Sequence, residues 1–273
     1  AAAPGAAPSA APRVRRRSKD RTISNAITIN LKHSKNAAEI VRSVAGAFGW
    51  RETVSLAEDC NANVFWYERA ITVGEVRHLN EHQRVNMIPG MHEMARKASL
   101  ARALNRLRTL YPDEFAFYPR TWTLPAQLGE FRQHCVDRAA AGATDDVYIA
   151  KPSGGCQGAG IYLLRGAHEL KAHERLLQHD GGGQGLVVQQ YVQEPLLLED
   201  DCKFDMRLYV LVVSLSPLCA YLYRDGLARF ATAKYAAPDE SNLHNQFMHL
   251  TNYSLNKHNT DASSTAASLT ASR

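Results

Sequence analysis

Apolar positions along this chain switch repeatedly between a period of two and a period near three and a half. Ile27, Ile29 and Leu31 alternate with Thr28 and Asn30, which predicts a strand. Ile40, Val41, Val44 and Phe48 then carry helical spacing across Ala37 to Phe48, and Val64 to Tyr67 adds a short strand. This β-α-β pattern predicts a small first lobe over residues 22–85. Pro89-Gly90 breaks the chain before a helix from Met91 to Leu110, with Leu100, Leu104 and Leu107 on one face, and Tyr111-Pro112 ends it. A further helix is expected near Gly129 to Arg138, and strands at Val147 to Ala150 and Leu186 to Val192, the last entered through the glycine-rich connector Gly181 to Gly185.

Farther on, Phe204, Met206 and Leu208 alternate with Lys203, Asp205, Arg207 and Tyr209. One strand thus buries an apolar face and presents a lysine, an aspartate and an arginine on the other. Leu218 to Tyr223, Asp225-Gly226 and Leu227 to Thr232 carry a hairpin signal, with Arg229 on the return strand. The expected class is α/β (α+β).

Composition narrows the picture. The chain has 273 residues, 45% of them hydrophobic, enough for a substantial core in one large domain or several small lobes. A net charge of +5 and a pI near 9.0 favour polyanionic partners: nucleic acid, an anionic membrane or an acidic protein tail. Nucleic acid is disfavoured because no basic motif is interleaved with aromatics. No apolar run reaches the ~18 residues of a membrane span. Five scattered cysteines without a Cys-x-x-Cys pair argue against a disulfide framework and a zinc site, and for a reducing, intracellular compartment. Residues 1–21 read as a disordered basic arm, and 260–273 as a small, polar, low-complexity tail.

The chemistry starts at Lys151, where KPSGGCQGAGI follows an apolar run. Gly154, Gly155, Gly158 and Gly160 let backbone approach an anion, and Lys151 adds a positive charge, a combination that suits a nucleoside triphosphate. No Gly-Lys-Ser/Thr follows, so this is not a P-loop, and the glycine spacing is not that of a dinucleotide fingerprint. By composition alone a hairpin tip rich in glycine reads the same. Arg102 and Arg106, at i,i+4 on a helix that also carries Arg96, Lys97 and Arg108, are either a solvated face or a dock for an acidic ligand. His244, His249 and His258 fit no common metal spacing. Asp205 and Arg207 alone read as a surface ion pair, and Thr251-Asn252 as a turn or helix cap.

KFDMRLYVLVVSL from Lys203, RDGLARFATAKY from Arg224 and MHLTNYSLNKHN from Met248, together with stretches from Ile27 onward, resemble the tubulin tyrosine ligase-like family, most closely its polyglutamylases. The resemblance runs from about Ile27 to about Asn259. It implies an ATP-grasp fold with a small N-terminal lobe (22–85), a central lobe (86–194) and an incomplete C-terminal lobe with antiparallel strands (195–259). It also implies ATP held between the last two. Lys151 and Lys203 match phosphate-contacting lysines, Asp205 a ribose-side contact, and Gln189, Gln190, Tyr191 and Val192 the segment against adenine. Gln157, Gly158, Gly160, Thr251 and Asn252 join the ATP set. Arg207 and Arg229 match the catalytic arginines near the γ-phosphate and incoming amino acid, and Tyr253 and Ser254 contact that amino acid. Ala159 replaces an arginine common in the glutamylases.

The implied activity is ATP-dependent ligation of glutamate to acidic tubulin tails through an acyl phosphate. The alternatives are a glycylase, a tyrosine ligase or a silent microtubule-binding module. Expected partners are microtubules and free glutamate, with no nucleic acid and no membrane, for a monomer in the cytoplasm and cytoskeleton, with the cilium or basal body as a specific site. After Asn259 the family's pattern is lost, and with it the segment that binds Mg2+. No metal ligand is therefore expected in this chain, which reads as a fragment of a longer ligase.

Overall fold

The computed structural model describes residues 26–54, 58, 60–170, 185–198 and 201–259. The basic arm, the low-complexity tail and positions 181–184 of the connector lie outside the described residues. The chain divides into two compact units at Gly90–Met91.

The first unit is a parallel sheet in the order β2-β1-β3-β4, from β1 (Thr28–His33), β2 (Arg51–Glu52), β3 (Val64–Tyr67) and β4 (Arg84–Val85). Parallel neighbours need a crossover, which α1 (Ala38–Ala47) supplies between β1 and β2. Ile29, Leu31 and Ala45 are buried together with Val41, Trp50, Val64 and Trp66 against them. The predicted stripe of α1 is only partly used. Val41 and Ala45 face the sheet, whereas Ile40, Val44 and Phe48 stay exposed, because a two-residue β2 is too short to cover them. Glu68, just past β3, accepts from the Ser34 hydroxyl (2.6 Å) and from the backbone N–H of Asn36 (2.8 Å) and Ala37 (2.6 Å). These donors hold its carboxyl down to about 2 and satisfy amides that precede α1.

The first unit also holds the short helix α2 (Val73–Arg77); the second opens with a 3-10 turn (Met91–Ala95) followed by the long helix α3 (Lys97–Leu110). The sequence predicts one helix from Met91. Extended backbone at Arg96 (φ −84°, ψ 123°) divides it in two. A four-stranded antiparallel sheet follows, ordered β5-β8-β6-β7, from β5 (Thr121–Leu124), β6 (Tyr148–Pro152), β7 (Tyr162–Leu164) and β8 (Leu186–Gln190). The alternation of these strands sends Trp122, Leu124, Tyr148, Ala150, Leu186 and Val188 to one face, where Phe131 of α4 (Leu128–Ala140) packs fully buried. The opposite face carries Val147 and Ile149 and closes on Tyr191 and Leu250, with Tyr235, Leu243 and Leu255 around them.

Two ribbons complete this unit. β9 (Cys202–Arg207) pairs antiparallel with β12 (Leu227–Lys234), and β10 (Val210–Leu215) with β11 (Leu218–Leu222). The hairpin expected at Asp225-Gly226 is therefore not formed: β11 turns back on β10, and β12 runs on to β9. Gly226 explains the crossing, since a Cβ there would sit 2.4 Å from the Arg207 carbonyl oxygen. The apolar face of β9 is covered only in part, at the half-buried Phe204, which stacks on Phe230 with ring centres 5.6 Å apart. Met206 and Leu208 are exposed, because α5 (Gln246–His249) and α6 (Tyr253–Asn256), the helices on this ribbon, cover chiefly β12.

Candidate functional site

Lys151 is the fourth residue of β6, and period-two alternation puts it on the same face as Gln189 of β8 and Thr121 of β5. The three are joined. Lys151 Nζ donates to Gln189 Oε1 (2.8 Å), Gln189 Nε2 donates to Thr121 Oγ1 (2.9 Å), and that hydroxyl donates to the Pro119 carbonyl (2.8 Å). The ammonium is thus aimed by a neutral amide. Burial, reinforced by the charge of Lys97, lowers the Lys151 pKa.

The glycine loop follows directly. Gln157, Gly158 and Gly160 all have positive φ (58°, 90° and 69°), so three of its residues adopt the left-handed backbone region. Glycine is required at two of them for space as well. A Cβ on Gly158 would meet Asn252 Oδ1 at 3.1 Å, and one on Gly160 would meet Pro152 Cγ at 2.9 Å. Ser254 Oγ donates to the Gln157 carbonyl (2.9 Å), so the Thr251–Ser254 segment sits on the loop. Asn252 is the N-cap of α6 but its side chain makes no capping bond; it faces Gly158. Tyr253 is exposed.

Lys203 of β9 joins the same group of charges. Its ammonium donates to the Tyr191 hydroxyl (2.9 Å) and lies 4.1 Å from the centre of that ring. Burial, then repulsion from Lys151, pushes its pKa down to about 8, with Asp205 opposing. Asp205 stands opposite Arg229 in the β9–β12 register and is held in a two-pronged ion pair, Arg229 Nε to Oδ1 at 2.8 Å and Nη2 to Oδ2. Arg207 is exposed two residues farther along β9.

The site residues expected from sequence are therefore largely gathered, with distinctions among them. Gln189 is half-buried and Tyr191 buried, whereas Gln190 and Val192 are exposed. Arg102 and Arg106 are both exposed on α3, and Arg102 Nη2 donates to Ser99. Of the three histidines, His249 is buried, with Nδ1 at 2.9 Å from the Tyr191 hydroxyl and Nε2 at 3.1 Å from the Asn242 carbonyl.

Sequence reasoning passed over Lys97. Its ammonium donates to the carbonyls of Pro152 (3.0 Å) and Gly155, tying the entry of the glycine loop to α3. A signal was present: a lysine in the first turn of a helix opposes the helix dipole, and α3 has no acidic residue there to offset it. Lys97, Lys151 and Lys203 together make a partly buried positive cluster whose immediate hydrogen-bond partners are all uncharged, an arrangement that favours an anion.

Comparison with known proteins gives the same direction. The chain is 42% identical over 243 residues to tubulin polyglutamylase TTLL13 of Homo sapiens, covering 89% of this chain and 27% of that protein. It is 39% identical to tubulin polyglutamylase TTLL7 of Homo sapiens (90% and 26%) and 38% identical to tubulin polyglutamylase ttll-11 of Caenorhabditis elegans (87% and 32%). The chain thus spans between a quarter and a third of the length of these relatives. A family profile described as the tubulin-tyrosine ligase family matches residues 76–272, and so extends beyond Asn259, the expected end of the resemblance. Most of the second unit, including every residue of the lysine cluster and the glycine loop, falls inside that match, and the chain belongs to the tubulin-tyrosine ligase family.

Proposed function

We propose that this chain carries the ATP-binding part of a ligase that adds glutamate to the acidic tails of tubulin, with lobes at 22–85, 86–194 and 195–259 in an ATP-grasp arrangement. The observation that carries the reading is the lysine cluster: three ammonium groups, Lys97 and Lys151 at the entry of a glycine loop and Lys203 close enough to feel the charge of Lys151, held by carbonyl, amide and phenol oxygens, suit a triphosphate. Lys151 and Lys203 bind its phosphates, Gln157, Gly158, Gly160, Thr251 and Asn252 line it, and the Gln189–Val192 strand end meets adenine. A tail carboxylate oxygen attacks the γ-phosphorus, the bond to ADP breaks, and an acyl phosphate forms. The amine of free glutamate then attacks the acyl carbon; phosphate leaves with the C–O electron pair and the amine's proton passes to solvent. Arg207 steadies the phosphoryl group, and Arg229 the donor's carboxylate, with Tyr253 and Ser254 beside it.

Mg2+ is the usual companion of such chemistry. Among the described residues no group of three His, Cys, Asp or Glu side chains converges, and Asp205 gives both oxygens to Arg229. These residues do not fit the ion, and no step here runs through it. Among the described residues no helix is long and apolar enough to cross a membrane. The proposed setting is the cytoskeleton, with the cilium or basal body as a specific location.

The direct test is incorporation of labelled glutamate into tubulin by the natural full-length protein, with intact and tail-stripped microtubules compared at rising salt. Incorporation and co-sedimentation should both require the tails and weaken as salt screens the +5 chain. Equal labelling of tail-stripped tubulin, or labelling by glycine or tyrosine instead, would refute the assignment.

A pH dependence follows from Lys203. Its pKa of about 8 lies below the 10.5 of an unfolded lysine, so between these values the unfolded chain holds the extra proton and stability without ligand rises with pH. ATP prefers the charged form, so its affinity should move the other way, falling above pH 8 by at most about tenfold per pH unit. Calorimetry in buffers of different ionisation enthalpy should detect proton uptake on binding near pH 8. Affinity that is flat from pH 7 to 9.5 would exclude Lys203 from the phosphate site.

A further inference from the structure

A buried chain of hydrogen bonds behind Lys203 has a direction, and the direction gives His249 a task. Its Nε2 lies 3.1 Å from the Asn242 carbonyl, which can only accept, so that nitrogen carries the proton. Burial, together with the nearby Lys203 charge, lowers the His249 pKa and keeps the ring neutral, which leaves Nδ1 bare. The Tyr191 hydroxyl, 2.9 Å away, must therefore be the donor to Nδ1. Tyr235, the other phenol packed here, donates its own proton to the Gln193 carbonyl (2.6 Å), so toward the Tyr191 hydroxyl, which it also meets, it is a second acceptor beside Nδ1 and brings no donor. The Tyr191 oxygen then has only lone pairs to offer Lys203, and it takes the ammonium at 2.9 Å. Lys151 and Asp205 are the charged groups that face Lys203 from β6 and its own strand, and Arg229 holds Asp205 from β12.

We infer that His249 is a positioning residue for Lys203: by fixing the proton of Tyr191 it makes that phenol a one-way acceptor, which holds the ammonium ready for an anionic ligand. The inference rests on the reading of Lys203 as a phosphate contact only for its effect on ATP. A residue that merely filled the core would leave the proton's direction, and hence Lys203, indifferent.

The test combines variants with a direct view of the ring. In the intact chain, 15N chemical shifts should report His249 protonated at Nε2 and bare at Nδ1 throughout neutral pH; a protonated Nδ1 overturns the inference whatever ATP does. Tyr191→Phe keeps the ring under Lys203 and removes the acceptor, and should weaken ATP about tenfold, the size of a lost hydrogen bond to a charged group. His249→Phe should lose a similar factor, His249→Asn, with an acceptor near Nδ1, should recover most of it, and Tyr191→Phe with His249→Phe should be no worse than either alone. Additive losses, or no rescue by asparagine, would reduce His249 to a packing role. Failure of the unaltered chain to bind ATP would instead remove the phosphate reading. The relay would then stand or fall on the histidine shifts and on whether Tyr191→Phe lowers the Lys203 titration measured by NMR.

Discussion

Replacing Lys151 with alanine is expected to abolish the protection that ATP gives this chain against thermal unfolding. A ligand at a hundred times its Kd stabilises by about 2.7 kcal/mol, which for a chain of this size raises Tm by roughly 5–10 °C. That increment should be present in the unaltered protein and absent from Lys151→Ala. The charge on Lys151 contributes little to folding, since burial already disfavours it and its partner is a neutral amide. The variant should therefore melt near the parent when no nucleotide is present, and Lys151→Met, which keeps the aliphatic stem, should match it. Loss of protection without loss of basal stability separates a phosphate contact from a structural one. Full ATP protection in Lys151→Ala would sink the pocket as placed here, because Lys203 and Lys97 would then suffice at the glycine loop by themselves.

The strand and loop at Lys151 are legible in the sequence while the contacts of Lys97 and His249 are not, and the difference is one of range. The strand ending at Lys151 and the loop after it are local: an apolar run, then glycines, of which Gly158 and Gly160 take the left-handed backbone that few side chains adopt. The Ile29–Leu31 and Val64–Tyr67 strands and the α4 helix are legible for the same reason, each being marked by residues close together in sequence, although burial itself does not alternate along the two strands. Pairing is not local. Asp225-Gly226 has the composition of a hairpin turn, yet the strand after it joins β9, some twenty residues back, because Gly226 can pass against the Arg207 carbonyl. Likewise nothing near His249 announces Tyr191, fifty-eight residues earlier, and nothing near Lys97 announces the carbonyl of Gly155. The exposed face of α1 at Ile40, Val44 and Phe48, and Met206 on β9, show the reverse: an apolar period alone does not ensure that another element covers it.

Arg229→Ala should raise the free-glutamate requirement of the full-length enzyme roughly 10- to 100-fold while changing its ATP requirement far less. The expectation turns on how the guanidinium is held. Arg229 and Asp205 are each about one-third exposed, 33% and 39%, so their ion pair is screened and contributes under about 1 kcal/mol to the fold. The variant should thus fold normally, and its defect can be assigned to the site. Asp205 takes Nε and Nη2 of Arg229 and so aims the guanidinium, and a donor's carboxylate would meet the remaining Nη1 or exchange with Asp205 at this exposed pair. Removing the fork costs one charged, hydrogen-bonded contact to the donor, hence the fold-change given, and none to the phosphates. Arg229→Lys keeps the charge but not the fork, and should fall between the two. If ATP and glutamate requirements rise together, Arg229 serves the nucleotide through Asp205, and the donor's carboxylate must be held elsewhere, with the exposed Arg207 the next guanidinium along the same ribbon.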